Sequence, residues 1–251
     1  MGDLAAAFGS LTVVVPAYNA ARQVAATLDA IQTYLDRTEM TYEVIVVDDG
    51  SVDATRDLVT RRGRGVRLIA NGVNRGKGYT VRQGMLAAAH DWVLFTDVDN
   101  ATPIEHLDRL AAVAGGHDIL IGSRRLAASA IVRKQPAFRQ LLGRVFPYLV
   151  HALVLPQFAD TQCGFKMFRR SVAQDLFGRA RVDRFCFDVE ILAMATRRGH
   201  RVAELPVEWR NPEGGSTLRI GRDTARMMGD LLRVAWRMRT GAYDGSVPSP
   251  A

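Results

Sequence analysis

The sequence predicts an α/β fold, a mostly parallel sheet with helices on both faces. Three observations lead there. Short strand-like runs alternate with helical stretches through the first half of the chain. Each run ends in residues suited to turns and to ligand contact. A chain of 251 residues, 48% of them hydrophobic, is large enough to bury the core of one such domain.

Strands are expected near residues 11–15, 42–47, 65–69, 91–96 and 117–121, and helices near 20–36, 53–61, 78–90 and 103–113. The first run, Leu11-Thr12-Val13-Val14-Val15, is stopped by Pro16-Ala17-Tyr18-Asn19. The second, Val44-Ile45-Val46-Val47, enters Asp48-Asp49-Gly50-Ser51, where Ser51 reads as a helix N-cap with Asp53 in the first turn. Asn74-Arg75-Gly76-Lys77-Gly78 opens the next helix. Val93-Leu94-Phe95-Thr96 ends in Asp97-Val98-Asp99-Asn100, and Pro103 suits the start of the helix beyond it. Ligands of open α/β sheets bind outside the carboxyl ends of the strands, so these segments should converge on one crevice.

The second half is less regular. Phe138 to Leu155 is apolar, carries Arg139 and Arg144, and contains Pro147, which should kink a helix there. Asp223 to Arg239 places Met227, Leu231, Val234 and Met238 at helical spacing, with Arg222, Arg226, Arg233, Arg237 and Arg239 supplying positive charge, a pattern that suits either a core helix or an anionic membrane surface. No apolar run reaches the length that spans a bilayer, and no signal peptide is evident. Cys163 and Cys186 lack metal-ligand spacing and read as free thiols of a reducing compartment. The net charge of +7 points to lipid or phosphate partners, since nothing resembles a nucleic-acid-binding module.

The chemistry centres on Asp97 and Asp99. At i and i+2 of an extended segment, both side chains project to the same side. Two carboxylates at one point are costly unless a cation lies between them, and oxygen-only ligands favour Mg²⁺ or Mn²⁺ shared with substrate phosphates. The same spacing equally suits a solvated turn with a helix N-cap.

Taken together, Val15-Pro16-Ala17-Tyr18-Asn19, Val47-Asp48-Asp49-Gly50-Ser51 with Asp53 and Thr55, Asn74 to Gly78 and the Asp-x-Asp resemble a family 2 glycosyltransferase of the GT-A, or nucleotide-diphospho-sugar transferase, fold. Asp160-Thr161-Gln162-Cys163-Gly164-Phe165-Lys166, with Gly122-Ser123-Arg124 and Phe187-Asp188-Val189-Glu190, is similar to the polyprenyl-phosphate sugar transferases, the dolichyl-phosphate β-glucosyltransferases among them. The resemblance runs from about Leu11 to about Leu232.

It implies an inverting, metal-dependent transfer of a hexose, glucose from UDP-glucose being favoured, onto a polyprenyl phosphate. Asp99 would hold the metal, with Asp97 beside it facing the nucleotide sugar. Pro16, Ala17, Tyr18 and Asp48 or Asp49 would form the nucleobase pocket, and Gly76 and Lys77 a phosphate or base contact. Arg124 and Arg139 would clasp the acceptor phosphate. Asp160 would act as a base, orient the acceptor or cap its own loop, and Asp188 and Glu190 would line the acceptor side or cap a helix. Gly214-Gly215-Ser216 after Trp209-Arg210 would close over the donor.

The sequence departs from the family at Ala20, where Glu is usual, and at Thr217, where Lys is usual and Arg210 or Arg219 would substitute. The expected layout is a loose terminus over 1–10, a catalytic domain over 11–221, a basic amphipathic helix over 222–240 and a loose tail over 241–251. The expected location is cytoplasmic, peripheral on the membrane face, with a homo-oligomer or an integral-membrane partner left open. Competing readings are another nucleotide sugar such as GDP-mannose, a hydroxyl acceptor, which would need a general base, and a non-catalytic nucleotide-sugar-binding subunit.

Overall fold

A computed structural model describes residues 3–63, 65–131, 146–210 and 222–245. In chain order the elements are α1 (Leu4–Phe8), β1 (Ser10–Ala17), α2 (Val24–Leu35), β2 (Thr41–Asp48), α3 (Thr55–Arg62), β3 (Val66–Ala70), α4 (Lys77–Ala87), β4 (Trp92–Thr96), α5 (Leu107–Ala111), β5 (Ile119–Ser123) and β6 (Ala130–Ile131). There follow α6 (146–153), then β7 (Phe165–Arg169), α7 (Arg170–Arg179), α8 (Phe187–Arg197), β8 (Val202–Pro206), β9 (Glu208–Trp209) and α9 (Arg222–Thr240).

Seven strands form one sheet in the order β3-β2-β1-β4-β7-β5-β8, and β6 pairs with β9 in a small second sheet. Neighbours in the large sheet run parallel except at β7, which is antiparallel to both β4 and β5. The chain lays β2 and β3 to one side of β1, then returns to place β4 on the other. The crevice therefore falls where β1 and β4 separate.

Alternate residues of each strand feed two cores. Val14, Ile45, Val47, Val93 and Phe95 join the side covered by α4 and α6 to α9. Val13, Val15, Val44, Val46, Trp92 and Leu94 join the side covered by α1, α2, α3 and α5. Both faces are thus buried, which explains why these strands are apolar almost throughout.

Four expectations need correction. The N-terminus is not loose throughout: Asp3 caps α1, and Leu4 and Phe8 are buried, Phe8 edge-on to Trp92. Nor is the tail, because Tyr243 is buried and Asp244 pairs with Arg197. Ser51 does not cap α3; its Oγ accepts from Asn19 N–H, while Asp53 accepts from Thr55 N–H at the helix start. The Met227, Leu231 and Val234 stripe of α9 is buried in the core, with Met228 and Met238 packed against it, so it offers no membrane contact. The outer face of α9 carries other apolar residues, with Leu232 56% and Trp236 63% exposed beside Arg226, Arg233 and Arg239. Of the Phe138 to Leu155 stretch only 146–155 is described; Phe146, Val150 and Leu155 are core residues and Tyr148 is exposed. No helix among the described residues is long and apolar enough to cross a membrane.

Candidate active site

The Asp-x-Asp lies in a turn rather than on the strand. β4 ends at Thr96, Asn100 N–H donates to the Asp97 carbonyl at 3.3 Å, and Asn100 has φ +49°. The turn, not the strand pleat, therefore places the two carboxylates near one another. Asp97 N–H donates to the Gly164 carbonyl at 3.1 Å. A Cβ on Gly164 would fall 2.0 Å from an Asp97 carboxylate oxygen, so only glycine lets the loop approach this closely. Asp99 accepts from Ala101 N–H at 3.1 Å. Burial, and then the charge of Asp97, push its carboxyl above the usual range.

Lys77 meets this pair from the other side. Its Nζ lies 2.7 Å from Asp97 Oδ1 and 5.4 Å from the centre of the Phe95 ring. Burial disfavours its charge, but Asp97 and then Asp188 outweigh that and hold the ammonium above the ordinary lysine range. Gly76 has φ +107°, and Cβ atoms on Gly76 and Gly78 would fall 2.5 and 2.4 Å from the carbonyls of Asp183 and Val182. The turn that presents Lys77 is thus pressed against the 180–184 segment.

Among the described residues no three carboxylate, imidazole or thiol groups could hold a metal together. A cation at Asp97 and Asp99 would take its remaining ligands from substrate or water. Their oxygen-only donors fit Mg²⁺ or Mn²⁺, and burial and then the neighbouring Asp97 disfavour the Asp99 carboxylate, which a bound cation would offset.

At the carboxyl end of β1, Pro16 and Ala17 are buried and Tyr18 is exposed. The buried Ala20 sends its N–H to Thr55 Oγ1. The two aspartates at the carboxyl end of β2 are engaged within the protein. Asp48 pairs with Arg56 at 2.5 Å and accepts from the N–H groups of Gly50 and Ser51. Asp49 accepts from Arg75 N–H at 2.8 Å, Gly76 N–H at 2.9 Å and Asn71 Nδ2 at 3.0 Å. Asp48 thus does turn chemistry, and Asp49 anchors the loop that leads to Lys77.

On the expected acceptor side, Arg124 forks onto Asp160, with Nε 2.7 Å from Oδ2 and Nη2 2.9 Å from Oδ1. The guanidinium also lies 5.8 Å from the Trp209 ring centre. Burial would raise the Asp160 carboxyl, but Arg124 and its hydrogen bonds win and lower it to about 2. A carboxyl held that low is a poor general base. Asp160 also accepts from Gln162 N–H, the loop cap expected as an alternative. Arg210 pairs with Glu208. Arg139, Gly214 to Thr217 and Arg219 lie outside the described residues.

One pair went unread in the sequence. Lys166, on β7 and 1% exposed, sets its Nζ 2.6 Å from Asp188 Oδ1 in the first turn of α8. The available signal was a lysine inside an apolar strand, which must find an acid when buried. Glu190 does not face the crevice; it is fully buried behind the 180–184 segment. The thiols are free and buried, Cys163 being pushed by burial up to about 11.

The family model for glycosyl transferase family 2 matches residues 12–177, from β1 to α7. The chain belongs to glycosyltransferase family 2. It is 36% identical over 246 residues to dolichyl-phosphate beta-glucosyltransferase ALG5C of Trichomonas vaginalis, covering 92% of this chain and 72% of that protein. The Drosophila melanogaster dolichyl-phosphate beta-glucosyltransferase is 35% identical, with 91% and 77% covered, and the Homo sapiens enzyme is 34% identical, with 91% and 78% covered. This family 2 chain is a glycosyltransferase, and its sheet is of the GT-A kind. Glucosyl-3-phosphoglycerate synthase from Mycobacterium tuberculosis, solved with Mn²⁺, UDP-glucose and phosphoglyceric acid, superposes with a TM-score of 0.73 at 19% identity, covering 94% of this chain and 83% of that one. Mannosyl-3-phosphoglycerate synthase from Rubrobacter xylanophilus superposes at 0.69 and 18% identity, covering 99% and 81%.

Proposed function

We propose that this glycosyltransferase moves glucose, with inversion, from UDP-glucose to a polyprenyl phosphate at a membrane surface. The observation that carries the reading is the meeting of Lys77 with the Asp97 and Asp99 turn at the carboxyl end of β4. Relatives named for dolichyl phosphate and glucose support the acceptor and the sugar, and a structural neighbour solved with Mn²⁺ and UDP-glucose supports the donor.

Asp99 and Asp97 would hold Mg²⁺ or Mn²⁺, which when bound supplies positive charge to the departing diphosphate. Lys77 offers a second positive charge to the same diphosphate, and Tyr18 a ring face for the base. A phosphate oxygen is already anionic and needs little help from a base. An Asp160 held low by Arg124 agrees with such an acceptor better than with a hydroxyl.

The outer face of α9, with Leu232 and Trp236 exposed among arginines, rests on anionic lipid in this reading. The protein would then be peripheral on the cytoplasmic face of its membrane.

The test is incubation with labelled UDP-glucose, GDP-mannose and related donors plus dolichyl or undecaprenyl phosphate, scored by organic extraction. Label from UDP-glucose should enter the lipid phase with a divalent ion present. Label transferred only to hydroxyl acceptors, or an Asp99→Ala variant as active as the parent, refutes the reading.

A further inference from the structure

Glu190 lies in the first turn of α8 with no exposed surface. Four donors converge on it from two directions. Oε2 accepts from the N–H groups of Arg181 at 2.9 Å and Val182 at 2.8 Å. Oε1 accepts from Tyr243 Oη at 2.6 Å and stands 3.5 Å from Arg237 Nη1. One carboxylate therefore fastens the 180–184 segment to the end of α9 and the chain that follows it.

That segment is the back wall of the Lys77 turn. The Asp183 carbonyl accepts from Tyr79 N–H at 3.0 Å, and the carbonyls of Val182 and Asp183 fill the spaces that side chains on Gly78 and Gly76 would need. Arg82 closes the contact from α4, donating to the Ala180 carbonyl at 2.9 Å and to Asp183 Oδ1 at 2.7 Å. Asp49 holds the other side of the same turn through the N–H groups of Arg75 and Gly76. The start of α4 is clamped between two buried carboxylates, one directly and one through three residues of backbone.

We infer that Glu190 is a positioning residue for donor binding: by fixing the 181–183 backbone it sets where the Lys77 ammonium stands. This rests on the reading that Lys77 meets the donor diphosphate. A buried carboxylate that only stabilised α8 would need no connection to α4, whereas this one holds the backbone whose Val182 and Asp183 carbonyls crowd both glycines that flank the lysine.

The test is a double-mutant cycle on the full chain, read as the dissociation constant for UDP with Mn²⁺ by calorimetry rather than as turnover. Lys77→Ala should weaken UDP by about tenfold, the worth of one charge-assisted hydrogen bond. Glu190→Ala should weaken it comparably, and adding Glu190→Ala to Lys77→Ala should change it less than about twofold, because the two act through one contact. Glu190→Gln, which can still accept from the two backbone N–H groups, should recover most of the affinity. If Glu190→Ala does not fold, Arg82→Ala, which frees the same segment from the α4 side, takes its place in the cycle. Independent, additive losses overturn the positioning role while leaving the donor reading intact. A Lys77→Ala variant that binds UDP as the parent does overturns both.

Discussion

Lys77 Nζ stands 2.7 Å from Asp97 Oδ1, so the first residue of α4 and the turn after β4 share one ion pair. That pair competes with any cation for the same carboxylate. Lys77→Ala should therefore strengthen Mn²⁺ binding measured without nucleotide, by about threefold for a pair only partly shielded from water. Electron paramagnetic resonance of free Mn²⁺ reads this directly. Weaker Mn²⁺ binding in the variant would show that the lysine and the ion do not contest Asp97.

Gly164 and Asp97 give a second prediction. A methyl group on Gly164 would collide with the Asp97 carboxylate, a short side chain able to rotate away. Gly164→Ala should thus fold, with a melting temperature within a few degrees of the parent, yet bind Mn²⁺ and UDP at least about tenfold more weakly. Parent-like affinity would remove Asp97 from the site.

The buried Lys166 and Asp188 pair bears on stability. Removing one partner strands a charge in the core. Lys166→Met should cost about 3 to 5 kcal/mol by urea unfolding. The double variant Lys166→Met, Asp188→Leu should regain most of that loss, because paired burial of charge is worth little over apolar packing. A double variant no better than the single one would mean that the core needs the charges themselves.

Asp160 sets a pH dependence. Its folded carboxyl is lowered from 3.8 to about 2, so its contribution is present above pH 4 and is lost as pH falls toward 2. The loss amounts to about 2 kcal/mol. In Arg124→Met the guanidinium fork is gone and only backbone N–H groups and Lys166 oppose burial, so the carboxyl sits higher than in the parent and the variant loses less stability on acidification. The gap between parent and variant should narrow from pH 6 to pH 3 in urea titrations. A gap that widens would reverse the sign assigned to the pair.

At the surface, Trp236→Ala with Leu232→Ala should reduce binding to vesicles containing phosphatidylglycerol several-fold without changing UDP affinity, and salt should weaken what remains. Equal binding by parent and variant would clear α9 of a membrane role.

The glycosyltransferase family, the sheet and its crevice were legible because they depend on short-range chemistry. Val13-Val14-Val15 before Pro16, the aspartates before Gly50, and Gly76-Lys77-Gly78 each announce a strand end or a turn within a few residues. What went unread is long-range. Nothing local says that Phe165 to Arg169 enters the sheet antiparallel between β4 and β5, or that Lys166 inside it meets an acid 22 positions on. The tail looked loose for the same reason: its Tyr243 and Asp244 meet partners on α8.

The sequence by itself determined the family, the strand-and-helix alternation and the lysine turn, since backbone preference and apolar patterning act over single elements, whereas the turn that holds Asp97 and Asp99 was read as extended chain. Only the tertiary structure decided which charges are spent on one another. Asp48 went to Arg56, Asp160 to Arg124 and Glu190 to Tyr243 and the 181–182 backbone. The physical reason is that a buried carboxylate must find donors wherever packing brings them, and packing joins residues that the chain keeps far apart.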